Sequence, residues 1–324
     1  MSHVIERGVG ARRVGAAGRR AAILAAFIAS LLVLTGCERG DPEPPPPPPD
    51  QQQTDADPPD DEAARMAGEH RHDRPDPSPA LDDPPAQPVV SREVTYGTLD
   101  DEALEGYVAW PEAGADGLPG LIVIHEWWGL NDNIRRMTDR LAGEGYVALA
   151  VDLYGGRTTD DPSQAEAYMG ELMAARDRGR DNVRAAHEWL RDEYGVPRVG
   201  SVGWCLGGTW ALETALAMPD AIDAVVIYYG FMPEDPEALE PLDMPILGLF
   251  AEDDAAVPVE NARAFERVLA ELGKNAHIEI YPDVDHAFAN PSGGNYEPES
   301  AMDAWLRTVA FFDAHLAAPD DGGE

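Results

Sequence analysis

The sequence predicts an α/β protein: a mostly parallel, doubly wound sheet with helices on both faces. Three observations carry that expectation. Between residues 89 and 318, short apolar runs alternate with stretches of helical spacing. The runs are apolar throughout rather than at every second position, as strands buried on both faces require. One of them, ending at Val202, leads into Gly203-Trp204-Cys205-Leu206-Gly207-Gly208 and then a small-residue helix. About 230 residues of this kind make one domain with a sizeable core.

The elements follow in order. Arg92 to Tyr96 and Ala103 to Ala109 alternate in polarity and read as an opening hairpin. Leu121 to Ile124, bounded by Gly120, is a buried strand. Asp132 to Glu144 has helical spacing and closes at Gly145. Tyr146 to Val151 is a second buried strand, followed by helices at Pro162 to Arg178 and Asn182 to Tyr194. Arg198 to Val202 is the strand that feeds the glycine-rich turn, and Thr209 to Met218 the helix that leaves it. Ile222 to Tyr229, Ile246 to Phe250 and His277 to Tyr281 are further strands. Pro258 to Leu272 and Glu299 to Leu316 are the helices around them, and residues 319–324 form an acidic tail.

The front of the chain is not globular. Arg12, Arg13, Arg19 and Arg20 precede an apolar run from Ala21 to Leu34. That run is short for a membrane span and reads as the core of a secretory signal. It ends in Leu34-Thr35-Gly36-Cys37, which resembles a bacterial lipoprotein lipobox. The resemblance implies cleavage after Gly36, lipid on Cys37 and a membrane-anchored protein in the periplasm or at the cell surface. Residues 37–88 hold the proline run Pro44 to Pro49 and many aspartates, and read as a disordered tether. With Cys37 lipidated, Cys205 is left as a lone thiol in an oxidising compartment.

Formal net charge is −36, and Lys274 is the only lysine. Such a surface excludes nucleic acid and anionic lipid as partners.

Chemistry concentrates in the turn around Cys205. Strand, tight turn and helix place a nucleophile at the apex, beside the free N–H groups of the following helix. Those groups favour a thiolate and later an oxyanion. A buried structural cysteine in a glycine-rich turn fits this motif equally well when it stands alone. Two later loops add weight. Ile246 to Phe250 is followed by Glu252-Asp253-Asp254, and His277 to Tyr281 by Asp283-Val284-Asp285-His286. Nucleophile, acid and histidine then occur in the chain order of α/β-hydrolases, each after a strand. In such a set the histidine takes the thiol proton, and an aspartate orients the ring and stabilises its charge.

Several separated motifs carry a more specific likeness across Arg92 to Leu316. The turn resembles a G-[YW]-C-x-G-G elbow. His125-Glu126-Trp127-Trp128-Gly129-Leu130-Asn131 resembles an E-x-x-G-x-N loop. Asp152-Leu153-Tyr154 resembles a D-L-Y, and Tyr228-Tyr229-Gly230 a Y-Y-G. Together they resemble the dienelactone hydrolases, a cysteine-nucleophile branch of the α/β-hydrolases. The resemblance implies Cys205 as nucleophile, His286 as base and Asp254 as orienting acid. Asp254 is preferred to Asp253 because it stands three residues before Val257-Pro258. It further implies that Glu126 contacts the cysteine, and that the backbone N–H groups of Leu206 and Trp127 form an oxyanion hole.

One departure bears on substrate. The founding enzymes of that family bind a substrate carboxylate with two arginines, and their positions here are Asn290 and Gln164, the latter four residues before Tyr168. Arg157 and Arg135 are the candidates to replace them. Trp127 and Trp128 suggest an apolar pocket, shared with Tyr168 and Asn290. His125-Glu126 lacks a second histidine at zinc-binding spacing, so neither metal nor cofactor is expected. The expected activity is hydrolysis of a small ester or lactone through a thioester. A thioesterase on the same triad and a non-catalytic binding protein are the alternatives.

Overall fold

The structure, a computed structural model, describes residue 68 and residues 76–317. The proposed signal, Cys37 and the acidic tail from residue 319 lie outside the described residues.

Among the described residues, eight strands form one sheet. They are β1 (Val89–Leu99), β2 (Glu102–Pro111), β3 (Gly120–Ile124), β4 (Val147–Val151), β5 (Val199–Trp204), β6 (Ala224–Tyr228), β7 (Ile246–Ala251) and β8 (Ala276–Tyr281). Their order is β1-β2-β4-β3-β5-β6-β7-β8. β1 and β2 pair antiparallel across a two-residue turn, with Asp100 and Asp101 both at positive φ (51° and 66°). β2 meets β4 antiparallel, and every later pairing is parallel. The fold is that of the α/β-hydrolases. β3 to β7 are buried from end to end, because helices cover both faces. The edge strand β8 is only half-buried, and its sequence AHIEIY alternates accordingly.

Among the described residues, seven helices flank the sheet: α1 (Asp132–Gly143), α2 (Pro162–Ala174), α3 (Arg176–Tyr194), α4 (Leu206–Ala217), α5 (Pro236–Leu239), α6 (Val259–Glu271) and α7 (Pro298–Leu316). Successive residues of β5 show the two layers. Gly200 faces Phe312 and Leu316 of α7. Ser201 turns the other way and donates its hydroxyl to the Ala211 carbonyl of α4, 2.9 Å away. Asn131 caps α1, accepting the N–H of Ile134.

Three expectations are corrected. The break between α2 and α3 falls at Ala175 (φ −110°, ψ 37°), not around Gly179. Gly179 lies inside α3, where a Cβ would strike the Trp210 indole, so this glycine serves close helix packing and not termination. The elbow helix begins at Leu206 rather than Thr209. The ordered domain begins before Val89. Residues 76–88, expected within the tether, include a 3₁₀ turn (Pro79–Asp82), and their backbone bonds to the loop around Ser292. Composition alone hides this, because specific hydrogen bonds hold a segment that has little apolar surface to bury.

Candidate active site

The elbow is built by close approach. Cys205 joins β5 to α4 at φ 55°, ψ −122°, a conformation a side chain rarely adopts. Such backbone strain costs on the order of 1–3 kcal/mol and persists only where the surroundings enforce it. Here the Cys205 N–H donates to the Tyr228 carbonyl of β6 over 3.0 Å, and its carbonyl accepts from Gly208 and Thr209. A Cβ on Gly203 would collide with the backbone of Gly207, and one on Gly207 with the Ile124 carbonyl of β3. The spacing G-x-C-x-G is therefore a packing requirement. Cys205 itself is buried, and Leu206 at the start of α4 presents an N–H that the helix leaves unpaired.

The loops after β7 and β8 meet beside it. Asp254 Oδ1 accepts the N–H groups of Ala256 (2.9 Å) and Val257 (2.7 Å), which fixes the carboxylate. Its Oδ2 stands 2.7 Å from His286 Nδ1. Asp253 is exposed, and only its backbone N–H reaches the histidine loop, at the Val284 carbonyl. Both Asp254 and His286 are buried. Burial works against a charged imidazole. The Asp254 carboxylate, the Cys205 sulfur and hydrogen bonds to both outweigh it and hold the His286 pKa well above the ordinary histidine value. His286 thus bridges acid and thiol, and the Tyr229 ring stacks edge-on against it at 5.1 Å.

Glu126 follows β3 and is buried. Asn290 Nδ2 donates to its Oε2 over 2.6 Å. Asn290 Oδ1 in turn accepts from Asn133 Nδ2 (3.1 Å) and from the backbone N–H (2.8 Å) and hydroxyl (2.7 Å) of Ser292. Asn290 is thus a clamp for the carboxylate rather than a free wall residue. Neighbouring His125 has a structural part. The Leu153 N–H donates to its Nε2 (3.1 Å), so Nδ1 carries the proton and donates to the Glu126 carbonyl (2.6 Å). Full burial lowers the His125 pKa and keeps the ring neutral.

Cys205, His286, Glu126 and Asn290 open on one cleft of about 920 Å³, which Trp127 and Trp128 also line. The two indoles pack at a tilt of 59°, with centroids 4.8 Å apart. Tyr168 and Arg157, expected in the substrate pocket, instead line a neighbouring cavity of about 520 Å³. Arg157 bonds to Glu171 (2.7 Å) and the Tyr154 carbonyl (2.8 Å), and lies over the Tyr168 ring. Arg135 is the only arginine or lysine among the described residues lining the catalytic cleft. It is already held by Glu93 (2.8 Å) and the Leu130 carbonyl (2.8 Å). Neither arginine is a ready replacement for the two missing cations. Sequence reasoning missed Asn133, Asp76 and Leu81 as cleft residues. Asn133 stands two positions after the Asn131 of the recognised loop, but nothing in the sequence pointed to the other two.

Comparison with known proteins bears on the family. The model of the "Dienelactone hydrolase family" matches residues 104–316. "Protein usf" of Aquifex pyrophilus is 37% identical over 220 residues, covering 66% of this chain and 94% of its own. A protein of Aquifex aeolicus (strain VF5) named "Putative carboxymethylenebutenolidase" is 33% identical with the same coverage of both chains. The crystal structure of a "Putative Dienelactone Hydrolase" from Klebsiella pneumoniae subsp. pneumoniae MGH 78578 superposes with a TM-score of 0.64 at 27% identity, over 71% of this chain and 100% of that one.

Proposed function

The chain belongs to the dienelactone hydrolase family and is an ester or lactone hydrolase; from that premise we propose that it works through a Cys205–His286–Asp254 triad and a thioester intermediate. The observation that carries this reading is the buried hydrogen bond from His286 Nδ1 to Asp254, with Cys205 against the same ring.

In this mechanism Cys205 Sγ attacks the ester carbonyl carbon while its proton rests on His286. Asp254 fixes the ring's tautomer and stabilises its charge. Charge developing on the carbonyl oxygen is met by the N–H groups of Leu206 and Trp127. The C–O bond breaks, and the departing alkoxide takes the proton from His286. Water then gives a proton to His286 and adds to the thioester. The acid leaves, and the thiol is restored. Glu126 assists ionisation of Cys205 as substrate binds.

The favoured substrate is a neutral ester or lactone. Trp127 and Trp128 provide apolar wall, and the one arginine of the cleft is already paired. We also read residues 1–36 as a lipoprotein signal and Cys37 as the lipidated residue. Mass spectrometry of membrane-fraction protein tests the lipid: processed chain with an unmodified Cys37 refutes it.

The catalytic reading is tested by rapid mixing with p-nitrophenyl acetate followed by intact mass measurement. An acetyl adduct mapped to Cys205, with a burst of nitrophenol, is expected. In Cys205→Ala both vanish, and turnover falls on the order of 10⁶. A folded Cys205→Ala enzyme with near wild-type turnover refutes the assignment.

A further inference from the structure

The segment before β1 belongs to the cleft. Asp76 and Leu81 line the same cavity as Cys205 and His286. The segment is held from two sides. On one, the Asp76 N–H donates to the Ser292 carbonyl (3.0 Å) and the Ser78 N–H to the Pro291 carbonyl (2.7 Å). These rungs land on the loop that carries Asn290 and follows His286. On the other side stands α1. Arg136 Nη1 reaches both Asp82 Oδ1 (2.6 Å) and the Leu81 carbonyl (3.4 Å). Gln87 Nε2 donates to the Gly143 carbonyl (3.0 Å), where Pro85 packs so tightly that a Cβ on Gly143 would meet it at 2.7 Å.

A backbone fixed by hydrogen bonds from two elements acts as a wall, and its apolar side chain offers a defined contact. Leu81 is half-buried, and Arg136 holds its own carbonyl. This wall stands outside residues 104–316, the part matched by the family model. We infer that residues 76–82 are a specificity wall of the catalytic cleft, with Leu81 contacting the apolar tail of an ester on the side away from the carbonyl. The inference rests on the reading of Cys205 as an ester-cleaving nucleophile. It assigns part of substrate choice to a segment that composition marks only as a spacer.

The test uses the full chain and two substrates, p-nitrophenyl acetate and p-nitrophenyl octanoate. Leu81→Ala is expected to lower the octanoate-to-acetate ratio of kcat/KM about tenfold, through KM, as loss of a few methylenes of contact does. Leu81→Met, which keeps the apolar contact, restores the ratio to within about twofold. An unchanged ratio in folded Leu81→Ala overturns the inference, as does an equal fall for both esters. A second readout needs no turnover. Alkylation of Cys205 by N-ethylmaleimide and by N-cyclohexylmaleimide is followed by peptide mass. Leu81→Ala is expected to slow the bulkier reagent selectively, and equal rates for wild type and variant overturn the wall. If no ester is cleaved by any form, the hydrolase reading fails, and the alkylation selectivity still decides the wall.

Discussion

The Asn290 amide holds the Glu126 carboxyl group at 2.6 Å, so a neutral group anchors a buried acidic side chain in the cleft. Leaving a buried polar group without its partner costs roughly 1–3 kcal/mol. Asn290→Ala should therefore lower kcat/KM for p-nitrophenyl acetate by about tenfold to a hundredfold. Asn290→Asp should do more damage, and the damage should grow as pH rises and the new carboxylate ionises beside Glu126. Steady-state kinetics between pH 5 and 8 checks both statements. A pH-independent deficit in Asn290→Asp contradicts the clamp.

Two neighbouring aspartates should differ sharply. Asp254 is buried against His286, whereas Asp253 is exposed. Asp254→Asn should reduce kcat by about 10⁴, since an amide supports the wrong tautomer. Asp253→Asn should stay within a few-fold of wild type. Comparing the two at equal thermal stability decides the register of the acid loop.

Stability should peak near neutral pH. His125 is buried and neutral, its pKa lowered by burial. Its contribution is present above the unfolded value of about 6.5 and is lost as pH falls below that value toward the folded one. His286 runs the other way. Burial opposes its charge, but Asp254 and Cys205 prevail and its pKa is raised. That contribution is full below about 6.5 and is lost as pH rises through the folded pKa. Thermal melts from pH 5 to 9 should show both limbs. His125→Gln should flatten the acid limb and Asp254→Asn the alkaline one. A limb that survives its variant unchanged has another origin.

Substrate charge should matter. A pair of lactones differing only by a carboxylate, assayed at moderate salt, should favour the neutral member about 10²-fold or more in kcat/KM. Arg135 and Arg157 are already committed to Glu93 and Glu171. A preference for the anion means that one of them leaves its partner to bind substrate. Removing Glu171 or Glu93 singly then identifies which.

Gly179→Ala should destabilise the fold by about 1–3 kcal/mol, because the added methyl meets the Trp210 indole. Chemical denaturation measures this. The double variant with Trp210→Phe should recover part of the loss. A neutral or stabilising Gly179→Ala would fit a helix that simply lacked a good former at that position.

How much of this was readable in advance follows a physical division. The strand–elbow–helix around Cys205 and the loops bearing Asp254 and His286 were legible. Burial on both faces demands unbroken apolar runs, and a tight turn demands glycine. The break between α2 and α3 was misplaced because glycine has two uses, ending a helix and admitting a neighbour. Only the position of Trp210 distinguishes them. The fate of Arg157 was hidden because it depends on Glu171, fourteen residues away, and on a cavity wall no local pattern encodes. Residues 76–82 were read as spacer because their bonds run from backbone to a loop more than 200 residues later. Such pairings leave no trace in composition.

The order of the strands has a consequence for the protein's birth. Glu126 arrives with β3, Cys205 with β5, Asp254 with β7 and His286 only after β8. The Ser292 carbonyl that tethers Asp76 comes later still. A nascent chain therefore carries its thiol without a base beside it through about a quarter of synthesis, from residue 205 to residue 286, and without the acid until residue 254. Ribosome-stalled chains ending before His286 should cleave no ester at all. Hydrolysis should begin abruptly, rather than accumulate by stages, once the segment around Ser292 has cleared the exit tunnel and docked.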